Sequence, residues 1–158
     1  MPSVTLLVGV PATGKSTWRS LSVTADDFVY STDDVVEEIA EALGKTYEEV
    51  WADSIKEATK IANARLADAI KAKKNIVSDR TNLTVNARAK FLAQFPKSYK
   101  RKAVLFEAPR SLDQHLARIA ARPGKNIPTN ILMSMLKDLE EPTLKEGFES
   151  VKFIGSWD

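Results

Sequence analysis

A single α/β domain, with a five-stranded parallel sheet flanked by helices, is predicted by three features of this 158-residue chain. Short apolar runs suited to strands alternate with longer segments of helical period. The first run, Val4 to Val8, leads directly into a glycine-bounded loop and then a helix-competent stretch. No internal repeat, low-complexity tract or linker interrupts residues 1–158, so one domain is expected. Strands alternating with helices imply parallel pairing through right-handed crossovers.

The elements follow in order. Strands are expected at 4–8, 28–30, 75–78, 102–106 and 151–154. A helix begins at Lys15, and a second runs over 34–43 with Val35, Val36, Ile39 and Leu43 on one face. Thr46 and Glu49 have capping-box spacing at the head of a long helix, 47–73. Helices at 84–95 and 112–121 follow, the second headed by Ser111 and Gln114 in the same spacing. Pro128 suits the first turn of a helix reaching about 140.

The loop behind the first strand reads Gly9-Val-Pro-Ala-Thr-Gly14-Lys-Ser-Thr17, that is G-x-x-x-x-G-K-S. Its glycines allow a tight turn that aims successive N–H groups at one phosphate. Lys15 supplies charge for the β- and γ-phosphates, and the Ser16 hydroxyl is a Mg²⁺ ligand. The following helix turns its positive dipole end toward the same anion. A P-loop NTPase fold is expected, with Gly9, Pro11, Ala12, Thr13, Gly14, Lys15, Ser16 and Thr17 around ATP or another nucleoside triphosphate.

In such sheets the ligand lies beyond the carboxyl ends of the strands. Thr32-Asp33-Asp34 follows the second strand, and Asp79-Arg80-Thr81-Asn82 follows the third. Carboxylates there can hold Mg²⁺ through water or accept a proton from an attacking hydroxyl; alternatively Thr32 and Asp33 only cap the next helix. Arg118 and Arg122 lie one turn apart before Pro123-Gly124-Lys125, the composition of a mobile lid that brings positive charge onto a phosphoryl group.

Composition narrows the classes. Without cysteine there is no disulfide, thiolate nucleophile or Cys-based metal site. The single histidine, His115, reads as a solvated helix residue rather than a catalytic base. No run approaches a membrane span and the amino terminus opens a core strand, so a soluble cytoplasmic protein is expected. Net charge is +2 but uneven: residues 1–60 carry 5 Lys+Arg against 11 Asp+Glu, and residues 61–135 carry 15 against 4. The basic segment, with Lys71, Lys73, Lys74, Lys97, Lys100, Arg101 and Lys102, is either a face for a nucleic-acid backbone or ordinary helix-end and loop charge.

These motifs resemble, in order, the kinase domain of phage polynucleotide 5′-hydroxyl kinases and of eukaryotic polynucleotide kinase-phosphatases. The matching stretches are GVPATGKSTW at 9–18, TDD at 32–34, SDRTNLTVNAR at 78–88, RIAARPGKNIP at 118–128 and EPTLKEGF at 141–148. The resemblance implies an adenylate-kinase-like P-loop domain with a basic lid at about 118–128. It implies Mg²⁺-dependent transfer of the ATP γ-phosphate to a 5′-OH end of DNA or RNA, in a protein that could be phage-encoded and act in a bacterial host.

By the same resemblance Asp33 is the general base, Lys15 the phosphate lysine, and Ser16 the metal ligand. Arg122 matches the lid arginine on the donor phosphates, with Arg118 one turn earlier. Asp79, Thr81, Asn82 and Arg88 match an acceptor- and phosphate-side motif, and Ile127 packs on the acceptor base. The family's arginine for the acceptor's 3′-phosphate, three residues after the base, is replaced here by Val36, and the family arginine before the base is Thr32. Either the basic segment 80–102 compensates or the acceptor differs. The alternatives are a hydroxymethylpyrimidine in phage DNA, a nucleoside, nucleotide or other small molecule, and, outside phosphotransfer, a P-loop ATPase module. 

Overall fold

The computed structural model describes residues 1–122 and 126–155. Five parallel strands form one sheet: β1 Ser3–Val8, β2 Phe28–Tyr30, β3 Ile76–Ser78, β4 Lys100–Phe106 and β5 Ser150–Ile154, in spatial order β2-β3-β1-β4-β5. Because neighbouring residues of a strand face opposite sides, the sheet is apolar on both. Val4, Leu6 and Val8 cluster with Ile76, Ala103 and Leu105, whereas Leu7 clusters with Val77, Val104 and Phe106.

Among the described residues six helices connect the strands: α1 Lys15–Ser22, α2 Thr32–Leu43, α3 Tyr47–Lys71, α4 Val85–Leu92, α5 Leu112–Ala120 and α6 Thr129–Asp138. Trp18 of α1 covers the Leu7 side, its ring edge-on to Phe106. Val35, Val36 and Ala40 of α2, with Val50, Ala58, Ala62 and Leu66 of α3, fill the other. Thr46 and Glu49 form the expected reciprocal capping box at the head of α3.

Parallel pairing puts every strand's carboxyl end on one edge, and the loops after β1, β2 and β3 meet there. The same geometry relocates the basic segment. Lys100 pairs with Ser3 at the start of β1, five residue steps before Val8, which is about 16 Å from the loop edge. Lys71, Lys73 and Lys74 close α3 beside Asn75, which bonds Ser3 at that same far edge. Lys100 reaches Glu149 at 3.8 Å, and the Arg101 guanidinium donates to the carbonyls of Leu92 and Phe95 at 3.3 Å each. The Lys and Arg cluster at 97–102 therefore belongs to the sheet edge opposite the phosphate loop.

Candidate active site

The loop between β1 and α1 is shaped by close packing and left-handed backbone. A Cβ on Gly9 would lie 3.1 Å from the Phe106 Cβ and 3.2 Å from its carbonyl oxygen, so glycine lets the loop leave the sheet there without displacing Phe106. Gly14 takes φ 101, the left-handed region that favours glycine. Ala12 also has positive φ, at 61. The Thr13 hydroxyl donates to Val10 O at 2.9 Å, and Gly9 N–H donates to Thr81 O at 3.0 Å, fixing the loop to the segment after β3.

His115 corrects the expectation of a solvated helix residue. It is 1% exposed in α5, and its Nε2–H donates to Pro11 O at 2.7 Å. A buried imidazole is retained here because it satisfies a loop carbonyl. It is a brace for the phosphate loop.

The loop opens on a cleft of about 770 Å³ lined by Pro11 through Thr17, Asp33, Asp79, Thr81, Arg118, Arg122 and Ile127. Of the residues expected around nucleotide and acceptor, these come together on one cavity. The Lys15 ammonium donates to Gly9 O at 2.7 Å and lies close enough to Asp79, Arg122 and Asp33 to feel their charges. Burial pushes its pKa down to about 8, against the partial compensation of Asp79 and Asp33.

Ser31, not Thr32 or Asp33, caps α2: its hydroxyl accepts from Asp34 N–H at 3.1 Å. That leaves the Asp33 carboxylate to face the cleft, where it accepts the Tyr47 hydroxyl at 2.7 Å. Burial, with Asp33 beside it, pushes the Tyr47 phenol up, so Tyr47 stays a proton donor to that carboxylate. Arg19 of α1 spans Asp34 and Asp79, 3.0 Å from the latter, and its own pKa is raised by that pairing. Neither Arg19 nor Tyr47 was expected from the sequence. Arg19 stands four residues after Lys15 on the same helix face, a signal that could have found it; Tyr47 is brought in by the turn between α2 and α3, which leaves no local trace.

Two expected acceptor ligands do not face the cleft. Arg88 is 0% exposed: its guanidinium bonds both carboxylate oxygens of Glu146, at 2.8 and 3.1 Å, and donates to Asn82 O at 2.8 Å. The Asn82 amide, on a residue with φ 47, donates to Leu7 O at 2.8 Å. Both wire the segment after β3 into the sheet and into the 3-10 turn Leu144–Glu146. Burial raises the Glu146 pKa, but its bonds from Arg88 and Thr143 outweigh this and hold it low. The pair's contribution is therefore present above the ordinary glutamate value of 4.5 and lost as pH falls through the lowered one. Arg88→Ala, which strands that carboxylate, is expected to cost about 3–5 kcal/mol. Tm should then drop by roughly 6–20 °C in thermal unfolding. An acceptor-binding role alone predicts a changed acceptor KM at unchanged Tm.

The segment expected to form a lid is described at 118–122 and 126–128. Arg118, in α5, and Arg122, just beyond it, line the cleft, as does Ile127. Asn126 N–H donates to the Glu48 carboxylate of α3 at 2.6 Å, tying this segment to the head of that helix. Pro123, Gly124 and Lys125 lie outside the described residues.

The donor set suits a triphosphate with Mg²⁺. Among the described residues no group of three His, Asp or Glu could hold a metal alone. Exposed Ser16, with Asp33 and Asp79 in the same cleft, matches a Mg²⁺ that keeps its waters and arrives on substrate phosphates. No helix among the described residues is long and apolar enough to cross a membrane.

The model of the AAA_33 family, an AAA domain, matches residues 4–142, and the chain belongs to that family. Its structure is similar to one from the Pnkp1/Rnl/Hen1 RNA repair complex, at 22% identity and TM-score 0.67, covering 94% of this chain and 46% of that one. This chain thus spans about half of that relative. It is also similar to a gluconokinase from Sinorhizobium meliloti 1021, at 18% identity and TM-score 0.55, covering 97% and 82% of the two chains. It is similar, too, to a shikimate kinase from Acinetobacter baumannii in complex with shikimate, at 16% identity and TM-score 0.54, covering 100% and 86% of the two chains. At these identities the likeness is one of fold, and the fold is that of P-loop kinases.

Proposed function

We propose that the protein is a phosphotransferase that moves the γ-phosphoryl group of ATP, or another nucleoside triphosphate, to an acceptor hydroxyl, and that the acceptor is the 5′-OH end of a nucleic acid. One observation carries the chemistry: the Asp33 carboxylate, released from helix capping by Ser31 and held by Tyr47, faces the cleft that the phosphate loop and Lys15 also line. The acceptor oxygen attacks the γ-phosphorus, the bond to the β–γ bridging oxygen breaks, and the hydroxyl proton passes to Asp33. ADP leaves with the electrons of the broken bond. Lys15 and Arg122 stabilise charge on the phosphoryl oxygens, and Arg118 contributes from the same lid. Bound Mg²⁺, held through Ser16, would neutralise the triphosphate.

The ordered motif resemblance supports the nucleic-acid acceptor, and by it Asp79, Thr81 and Ile127, which line the cleft, would contact that acceptor. A second reading keeps the chemistry and takes a small hydroxyl compound. It is favoured by the placement of Lys97 to Lys102 at the opposite sheet edge, outside the cleft. Transfer of labelled γ-phosphate to 5′-OH oligonucleotides, modified duplex DNA, nucleosides, nucleotides and sugar acids separates the two. Oligonucleotides labelled most efficiently support the first reading, and a preferred small molecule replaces it with the second.

The state of Lys15 adds a pH dependence. Its folded pKa of about 8 lies below the ordinary 10.5, so its charged form is disfavoured in the free protein. That cost is full below 8 and is relieved as pH rises toward 10.5, so this group alone makes stability rise across that window. A bound triphosphate restores the charge. Nucleotide binding should therefore take up protons near pH 8, and affinity should fall above it by up to about tenfold per unit. Calorimetry in buffers of different ionisation enthalpy reads this uptake directly, and Lys15→Ala should abolish it.

A further inference from the structure

Four of the five described cations lining the cleft are placed by the phosphate loop, by carboxylates or by the lid: Lys15 on Gly9 O, Arg19 between Asp34 and Asp79, and Arg118 and Arg122 at the donor side. Arg80 is the fifth. It is exposed, lines the cleft immediately after β3, and makes no ion pair among the described residues. Its guanidinium carbon sits 5.9 Å from the centroid of the Tyr30 ring. That ring is immobilised: Tyr30 is 2% exposed, packs on Phe91 at 5.3 Å, and donates its hydroxyl to Asn63 Oδ1 at 2.6 Å.

Tyr30 ends β2, three residues before Asp33, so the ring that carries Arg80 belongs to the strand that delivers the proposed base. A guanidinium over the face of a fixed ring keeps its N–H edge available for an anion. The nearby carboxylates Asp33 and Asp79 already accept from Tyr47 and Arg19. Position 36, on α2, is 0% exposed and cannot present any side chain to an acceptor without unpacking the core.

We propose that Arg80 is the acceptor-side anion clamp, holding by its guanidinium fork a phosphate that the acceptor carries a few bonds from its attacking hydroxyl. The proposal rests on the phosphotransfer reading above and names the acceptor class within it: a hydroxyl compound bearing a phosphate ester, as in a nucleoside 3′-phosphate or a 5′-OH oligonucleotide. A forked guanidinium gives phosphate both charge and paired hydrogen bonds, which a lysine cannot reproduce.

The test compares kcat/KM for a nucleoside 3′-phosphate, the same nucleoside without phosphate, and a hydroxylated carboxylic acid, in wild type, Arg80→Ala and Arg80→Lys. The wild type should prefer the phosphate-bearing acceptor over the plain nucleoside. Arg80→Ala should cut that preference about ten- to a hundredfold through acceptor KM, with KM for ATP and Tm held, and Arg80→Lys should restore only part. A preference identical in wild type and Arg80→Ala overturns the assignment, as does a wild type that labels the nucleoside or the carboxylic acid best. A protein that binds ATP but labels no hydroxyl compound overturns the phosphotransfer reading itself, a result distinct from either.

Discussion

Lys15→Ala should abolish phosphoryl transfer and leave the fold intact. The ammonium sits on Gly9 O at the floor of the cleft, where burial has already lowered its pKa to about 8. Removing the cation that the phosphate loop would offer to the β- and γ-phosphates costs several kcal/mol at the transition state, on the order of 10²–10³-fold or more in rate. The same burial means that the folded protein gains little from the charge. Tm of the variant should match or exceed that of the wild type. A folded variant with near-normal turnover would remove the phosphate loop from the mechanism.

Asp33→Asn is the second large effect. A positioned base contributes about 10²–10⁴-fold, so kcat should fall by that order while nucleotide affinity changes little. Capping does not complicate the result, because Ser31 performs it. The amide can still accept the Tyr47 hydroxyl, which keeps the local geometry, but it cannot take the acceptor's proton. Kinetics measured beside thermal unfolding should show a loss of kcat at nearly constant Tm. A small loss of stability with normal turnover would instead make Asp33 structural.

What the sequence disclosed and what it hid divide along one line. Elements written in local pattern were readable: β1 and β2, the helix starting at Lys15, and the Thr46–Glu49 box all stand where spacing and capping chemistry put them. The edge rule for parallel sheets also gathered Asp33, Asp79 and the phosphate loop correctly. Direction was what failed. Asn82 and Arg88 follow β3 as expected but turn inward, to Leu7 O and Glu146, because nothing local says which way a polar side chain in a loop will face. Glu146 lies 58 positions beyond Arg88, and no spacing rule connects them.

The sequence leaves the basic segment open between a nucleic-acid face and ordinary helix-end and loop charge, and the structure adds its location. Charge counted along the chain has no position in space, yet Lys100 to Lys102 begin a strand, and residues that begin a parallel strand sit opposite the ligand edge. That inference was available from the sequence. His115 was hidden for a plainer reason: its partner is a backbone carbonyl 104 residues away, at Pro11.

Passage of phosphate to a hydroxyl rather than to water defines the proposed activity. It is tested most directly by following γ-labelled ATP at saturating acceptor and resolving labelled acceptor from inorganic phosphate in wild type and Asp33→Asn. Label should appear in an acceptor phosphomonoester for the wild type, formed about 10²–10⁴-fold more slowly in the variant. Label found only in inorganic phosphate, at equal rates in both proteins, would contradict it.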